Sequence, residues 1–276
     1  MKTPLISLKP ASYFIRQFFF ATLLLLLNSA SYGQVDVIMN HNDLKRTGWN
    51  SKETILTTKN VSSGNFGKIF SREVDDQIYA QPLVLSNFHI AGGIHNIVIV
   101  ATVSNSVYAF DADDASVSKA YWQLNLTFDS TNYRPVNRAD MNGACGGQYS
   151  DFSGNIGIVG TPVIDNVSNT LYVVARSKSK IGSDFVQYLH AIDLATGSEK
   201  KGSPVSITAS YAGIGDGNRS GTIVFDSQKQ NQRPGLLLLN GVVYICWASH
   251  CDWGPYHGWI MGYDASTLQQ KYVYNA

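Results

Sequence analysis

The chain has 276 residues, 44% of them apolar, which is enough to build a sizeable core and excludes general disorder. Charged residues make up only 15%, while 24 Gly, 15 Tyr, 12 Phe and 5 Trp point to strands and turns rather than long charged helices. The formal charge is +1 with no basic tract, so the electrostatic footprint of a nucleic-acid binder is missing.

Residues 1–33 carry Lys2, Lys9 and Arg16, then the apolar run Phe18–Leu27, then NSASYG before Gln34. This is the three-part layout of a secretory signal, and Ser31 and Gly33 supply the small residues that place cleavage after Gly33. The apolar run is shorter than the ~20 residues of a membrane span. The expectation is a signal peptide over 1–33 and an exported domain over 34–276, secreted or periplasmic, with no membrane span after cleavage. Its charge falls to 18 basic against 20 acidic residues.

An oxidising compartment opens Cys145, Cys246 and Cys251 to pairing. Cys246 and Cys251 can close a small loop. Cys145 and Cys251 both lie in Gly-rich loops, which favours a Cys145–Cys251 bridge, while Cys246 in the run VVYICWA also reads as a buried free thiol.

Beyond residue 80 the chain repeats. Three copies run over Gln81–Leu124, Thr161–Val205 and Arg233–Tyr274, each with Pro, an apolar strand, a turn, a second strand, a loop and a third strand ending in Asp. The Pro-to-Asp spacings are 29 (Pro82 to Asp111), 31 (Pro162 to Asp193) and 30 (Pro234 to Asp264). Runs such as NIVIVAT, TLYVVAR and VVYICWA are rich in Val, Ile and Tyr and too short for helices. After each Asp comes a polar turn, DADDAS, DLATGS or DASTLQ, and then a fourth strand in AYWQL, SPVSI or KYVYN.

Four antiparallel strands per unit at a long, regular repeat predict an all-β fold of β-propeller blades. The Asp-to-Asp distances of 82 and 71 exceed a bare blade, and the excess falls in two insertions, Thr127–Gly157 and Ala209–Asn231. Long insertions of this kind carry function or stay disordered.

SVYAFDADD and LHAIDLATGSEKKG resemble the blade repeat of the pyrroloquinoline-quinone (PQQ)-like, quinoprotein-type β-propellers. NDLKRTGWNSKETILTTKNV with FGKIF, YAQPLV and HNIVIVAT, and then GNIGIVGTPVID and YHGWIMGYDA, resemble a secreted bacterial branch of that superfamily, over about residues 40–276. The resemblance implies a ring of seven or eight blades, of which residues 34–276 supply about three and an opening strand, as in a partial ring. It implies PQQ as a cofactor only for relatives with an adjacent Cys-Cys pair, a catalytic Asp, acidic and amide Ca²⁺ ligands and a Trp platform. This chain has no adjacent cysteines. Other relatives act as scaffolds in outer-membrane protein assembly, so the fold serves binding as well as chemistry.

Four segments are candidate sites. SHCDWGPYHGW gathers His250, Cys251, Asp252 and His257, where His250, Asp252 and His257 are candidate metal ligands, or else bond the backbone and shape the loop. HNDLKRTGWN offers Asp43 and Arg46 as a pair at a channel mouth, or a strap between blades. Asp140 and Asp151 flank a loop with Ca²⁺-type donors but no EF-hand spacing. The Gly-rich SYAGIGDGNRSGT lacks the context of a nucleotide loop. Trp247, Trp253, Tyr256 and Trp259 either stack on sugar rings or fill between blades. The resulting expectation is an exported binding or protein-interaction module with a protein or carbohydrate partner in the envelope or outside the cell. The alternative is a quinone- or metal-dependent oxidoreductase with its site at the channel mouth.

Overall fold

Val-, Ile- and Tyr-rich runs bounded by Asn and Gly turns leave the backbone no option but a ladder, and the computed structural model, which describes residues 36–62, 64 and 66–276, pairs them into three successive four-stranded blades. Residues 1–33, where a secretory signal is expected, lie outside the described residues. The first blade is β1 (Leu83–Ile90), β2 (Gly93–Ala101), β3 (Ser106–Asp111) and β4 (Trp122–Asn125), in that order and antiparallel. A short strand β5 (Tyr133–Pro135) leads to the second blade, β6 (Val163–Asp165), β7 (Thr170–Ser179), β8 (Phe185–Asp193) and β9 (Val205–Ser206). A separate hairpin, β10 (Ser210–Ala212) with β11 (Thr222–Val224), and the short β12 (Gln230–Asn231) precede the third blade. That blade is β13 (Leu237–Leu239), β14 (Val242–Ser249), β15 (Trp259–Asp264) and β16 (Gln270–Asn275).

Register aligns the copies residue by residue. Ile99 faces Leu83 and Ala109, Tyr172 faces Val163 and Ala191, and Tyr244 faces Leu237 and Gly262. Leu83, Val163 and Leu237 are therefore equivalent. Pro82 and Pro162 directly precede this position, but Pro234 lies earlier, which corrects the Pro-anchored start of the third copy. Leu236 stands in the Pro position there and uses its N–H to reach Thr161 O at 2.9 Å, a bond that Pro has no hydrogen to make.

The middle strands of blade two are largely buried on both faces because that blade packs against blade one on one side and blade three on the other, whereas β14 of blade three alternates buried and more exposed residues. Ile97, Ile99, Ala101, Val107, Ala109 and Trp122 of blade one meet Leu171, Val173, Ala175 and Ile192 of blade two. The opposite face of β7 and β8, with Tyr172, Val174, Leu189 and Ala191, meets Val243, Ile245, Met261 and Tyr263 of blade three. This explains why TLYVVAR shows no alternation, since both of its faces are core. Each such buried Leu or Val contributes about 1.5–3 kcal/mol.

The Asp that ends each third strand builds the next turn. Asp111 Oδ1 accepts the N–H groups of Asp113 at 2.9 Å and Asp114 at 2.6 Å. Asp193 Oδ1 accepts those of Ala195 and Thr196, and Asp264 Oδ1 those of Ser266 and Thr267. The turn then presents its carbonyl to the preceding blade: Trp122 Nε1 donates to Leu194 O at 2.8 Å, and the Tyr172 hydroxyl donates to Ala265 O at 2.6 Å. Gly197, at φ +70°, lies under the Trp122 ring, where a Cβ would approach Cδ2 to 2.7 Å. Only Gly suits both that backbone conformation and that contact.

Two expectations follow from these turns. Tyr172→Phe keeps the ring but strands the Ala265 carbonyl, so urea unfolding should show a loss of about 1–2 kcal/mol. Burial raises the pKa of Asp111, but the Asp114 and Asp113 N–H groups, the Tyr121 hydroxyl and His95 outweigh it and bring the pKa from 3.8 down to about 2. A depressed carboxylate pKa gives stability that is complete above 3.8 and is lost as pH falls through about 2. Asp111→Asn should flatten the acid limb of the stability–pH curve in that window, as followed by circular dichroism.

Candidate functional site

In an antiparallel blade, successive connections alternate between its two ends. The short turns 91–92, 166–169 and 240–241 therefore share one end with the Asp turns, and the long insertions share the other. This second end, the loop face, collects residues 126–162, 207–236 and 250–258.

The first insertion is an ordered unit with its own core, not a loose loop: Val136, Met141, Ala144, Tyr149, Phe152 and Ile156 are buried together, with Val103 of blade one beneath them. A capping box starts its first 3-10 turn. Asn137 Oδ1 accepts from Ala139 N, while Asp140 accepts from Asn137 N at 2.8 Å and takes a two-pronged ion pair from Arg134 at 2.7 Å. Burial opposes the Asp140 charge, but Arg134 and the Asn137 N–H hold its pKa below the usual carboxylate value. With both oxygens so engaged, Asp140 is not placed as a Ca²⁺ ligand.

Cys145 of this unit is joined to Cys251 of the third blade by a disulfide, with Cα atoms 5.4 Å apart, and Cys246 is a free, half-buried thiol. Next to the bridge, the Trp253 indole lies against Gly143, where any Cβ would overlap the ring. Lys229 sits 5.4 Å above the same indole.

Beneath the bridge lies the most unusual group of the face. Arg176, in the second half of β7, is 1% exposed and has no carboxylate partner among the described residues. Its NH1 is 2.8 Å from His250 Nε2, its NH2 donates to Gln228 O at 3.2 Å, and Asn105 Nδ2 bonds the Arg176 carbonyl at 2.8 Å. The other imidazole nitrogen, Nδ1, is 2.6 Å from the Tyr149 hydroxyl. A guanidinium has no acceptor, so Nε2 accepts from Arg176 and the single ring proton sits on Nδ1, donating to Tyr149 Oη. Burial, assisted by the Arg176 charge, pulls the His250 pKa down to about 2, keeping the imidazole neutral. Burial also lowers Arg176 to about 10 and raises Tyr149.

The sequence candidates thus separate. His250 has both ring nitrogens in use, Asp252 is exposed, and His257 donates from Nε2 to Asp216 O at 2.7 Å on the β10–β11 hairpin. No group of three or more His, Cys, Asp or Glu gathers into a metal set among the described residues. The segment His41–Asn50 lies across the inner strands of all three blades: Asn40 reaches Gln81 and Thr161, and Arg46 donates to Asn40 O and Leu236 O. The Asp43 carboxylate bonds Thr47 and not the Arg46 guanidinium, so the motif is a strap and the Asp43–Arg46 ion pair does not form. Trp247 and Trp259 fill between blades around Phe225, and Trp253 and Tyr256 lie in the outer loop. Sequence reasoning missed Arg176, whose one signal is a charge inside a strand that is otherwise apolar on both faces.

No protein-family model and no curated protein matches the chain. Solved structures do. A quinohemoprotein alcohol dehydrogenase, ADHIIG, from Pseudomonas putida HK5 superposes with a TM-score of 0.56 at 16% identity, over 87% of this chain and 26% of that one. The quinohemoprotein alcohol dehydrogenase from Comamonas testosteroni gives 0.54 at 16%, over 91% and 28%. A europium-containing methanol dehydrogenase gives 0.54 at 17%, over 92% and 34%. The chain therefore has the quinoprotein-type propeller fold, and it spans about a quarter to a third of the length of these proteins. Among the described residues, the loop face shows neither the adjacent Cys-Cys pair nor the clustered acidic ligands of the quinone-binding relatives. Its disulfide closes 106 residues rather than an adjacent pair, and its carboxylates are dispersed in turns and ion pairs.

Removing His250 would leave Arg176 buried without its acceptor, so His250→Ala should cost at least about 3 kcal/mol in urea unfolding, against about 1 kcal/mol for Tyr149→Phe. By ¹⁵N NMR, His250 should hold one neutral Nδ1–H tautomer throughout the physiological pH range; protonation near neutrality would contradict the assignment.

Proposed function

We propose that this chain is an exported quinoprotein-type propeller segment that works as a binding module, docking a protein or carbohydrate partner at its loop face, in the cell envelope or outside the cell. The observation that carries the reading is the way the loop face uses its reactive groups. The His250 nitrogens are committed to Arg176 and Tyr149, the Cys145 and Cys251 sulfurs to each other, and the Asp140 carboxylate to Arg134. What remains at the surface is relief: three loops cross-tied by covalent and buried polar links and rimmed by Arg219, Lys229, Asp216 and Tyr256. A surface fixed in this way loses little entropy on binding, which is how a recognition site gains affinity. Export fits the signal-like segment 1–33 and the disulfide. No helix among the described residues is long and apolar enough to cross a membrane.

The test is equilibrium dialysis of the purified chain against PQQ with Ca²⁺, followed by an assay for alcohol-dependent reduction of an artificial electron acceptor. The reading predicts no stoichiometric retention of quinone and no reduction. One PQQ retained per chain together with alcohol-dependent turnover would overturn it in favour of an oxidoreductase.

A further inference from the structure

The Cys145–Cys251 bridge fastens two left-handed turns to each other. Cys145, Gly146 and Gly147 have φ of +51°, +63° and +87°, and across the bridge Cys251 and Asp252 both stand at +50°. In this region the Cβ of an L-residue crowds its own backbone, so glycine enters it freely and cysteine rarely. Both half-cystines thus hold a conformation that persists only where the surrounding structure imposes it. Cys251 is exposed and Cys145 half-buried, which places the bridge at the surface of the loop face, within reach of a thiol in solution.

The bridge joins two bodies that each have another source of stability. The first insertion has its own core around Met141, Ala144, Tyr149 and Phe152, set on Val103 of blade one. The turn His250–Asp252 belongs to blade three, whose strands pair without it. Apart from the disulfide, the insertion is tied to this side by the Trp253 ring against Gly143, the 2.6 Å contact between Tyr149 and His250, and a 3.0 Å bond from Gln228 Nε2 to Asp140 O. Neutral hydrogen bonds of this kind contribute little net stability, whereas a cross-link closing 106 residues restricts the chain strongly. The covalent bond is therefore the dominant tie between insertion and blade three.

We propose that the Cys145–Cys251 bridge is a redox latch: a dithiol opens it in the folded protein, the first insertion then parts from blade three, and the loop face is assembled only in the oxidised form. A thiolate of the dithiol attacks the exposed Cys251 sulfur, the S–S bond breaks, and Cys145 leaves as a thiolate that takes a proton from water. The second sulfur of the dithiol, after losing its proton, displaces Cys251 from the mixed disulfide. Two electrons pass, so the bridge becomes two thiols and the dithiol becomes a disulfide. Both turns are then free to leave the left-handed region, which favours the open form. Arg176 and His250 stay together on the blades, while Tyr149 departs with the insertion. The regulatory meaning rests on reading the loop face as a binding surface; the latch itself rests on the two turns.

The experiment incubates the full chain with dithiothreitol in the absence of denaturant and removes the reagent. Thiols are then trapped with iodoacetamide in urea and counted by mass spectrometry, and amide hydrogen exchange is followed on a parallel sample. Three thiols in place of one are expected, with loss of protection over residues 136–156 and unchanged protection in β7 and β8. Reoxidation with glutathione disulfide should restore both the bridge and the protection. Cys145→Ser combined with Cys251→Ser should reproduce the exchange pattern of the reduced chain; should that variant fail to fold, reduction of the unaltered chain carries the test. A bridge that yields only in urea that unfolds the blades, one whose opening leaves residues 136–156 protected, or one whose opening exposes β7 and β8 as well would overturn the latch. Any of these with no quinone retained in dialysis sinks only the latch; quinone retention with turnover sinks the binding reading, whatever the thiol count.

Discussion

The packing of the three blades depends on one interaction used twice: the turns after Asp193 and Asp264 each offer a backbone carbonyl to an aromatic donor on the blade before. The Asp carboxylate shapes the turn, the turn aims the carbonyl, and Trp122 or Tyr172 spans the gap between blades. A sheet that is apolar on both faces could slide against its neighbour, because dispersion and burial have no direction. A buried hydrogen bond at the rim of each interface fixes the offset, since losing register would strand a carbonyl and a donor together.

Once the blades are fixed, the long connections have one end on which to gather, and there they lock one another. The disulfide ties the first insertion to blade three, Arg176 and His250 tie blade two to blade three, and Tyr149 closes the triangle. The cost of burying an arginine without a carboxylate is offset by a neutral imidazole and the Gln228 carbonyl rather than by charge. This organisation commits His250, Cys145 and Cys251 to structural links, and the fixed surface that results is what the proposed binding role rests on.

Much of the fold was legible in the sequence, because the Asp spacing and the β-rich runs are local signals that a blade repeats. The third copy was misplaced at its start because Pro234 imitates Pro82 and Pro162 in spacing while sitting outside the ladder. The loop face was less legible. Met141–Asn155 reads as a polar, Gly-rich loop, yet its few apolar residues converge on one small core, a property of three-dimensional spacing rather than composition. His250 stood out by residue type, but its role is set by Arg176, 74 residues away, and by Tyr149, 101 residues away.

The central claim is that the loop face binds rather than oxidises, and a native mass spectrum of the protein taken from its own secretory compartment tests it most directly. The account predicts a chain beginning at Gln34, carrying one disulfide and no quinone. A spectrum showing stoichiometric quinone, with a metal alongside it, would contradict the account and return the loop face to redox chemistry.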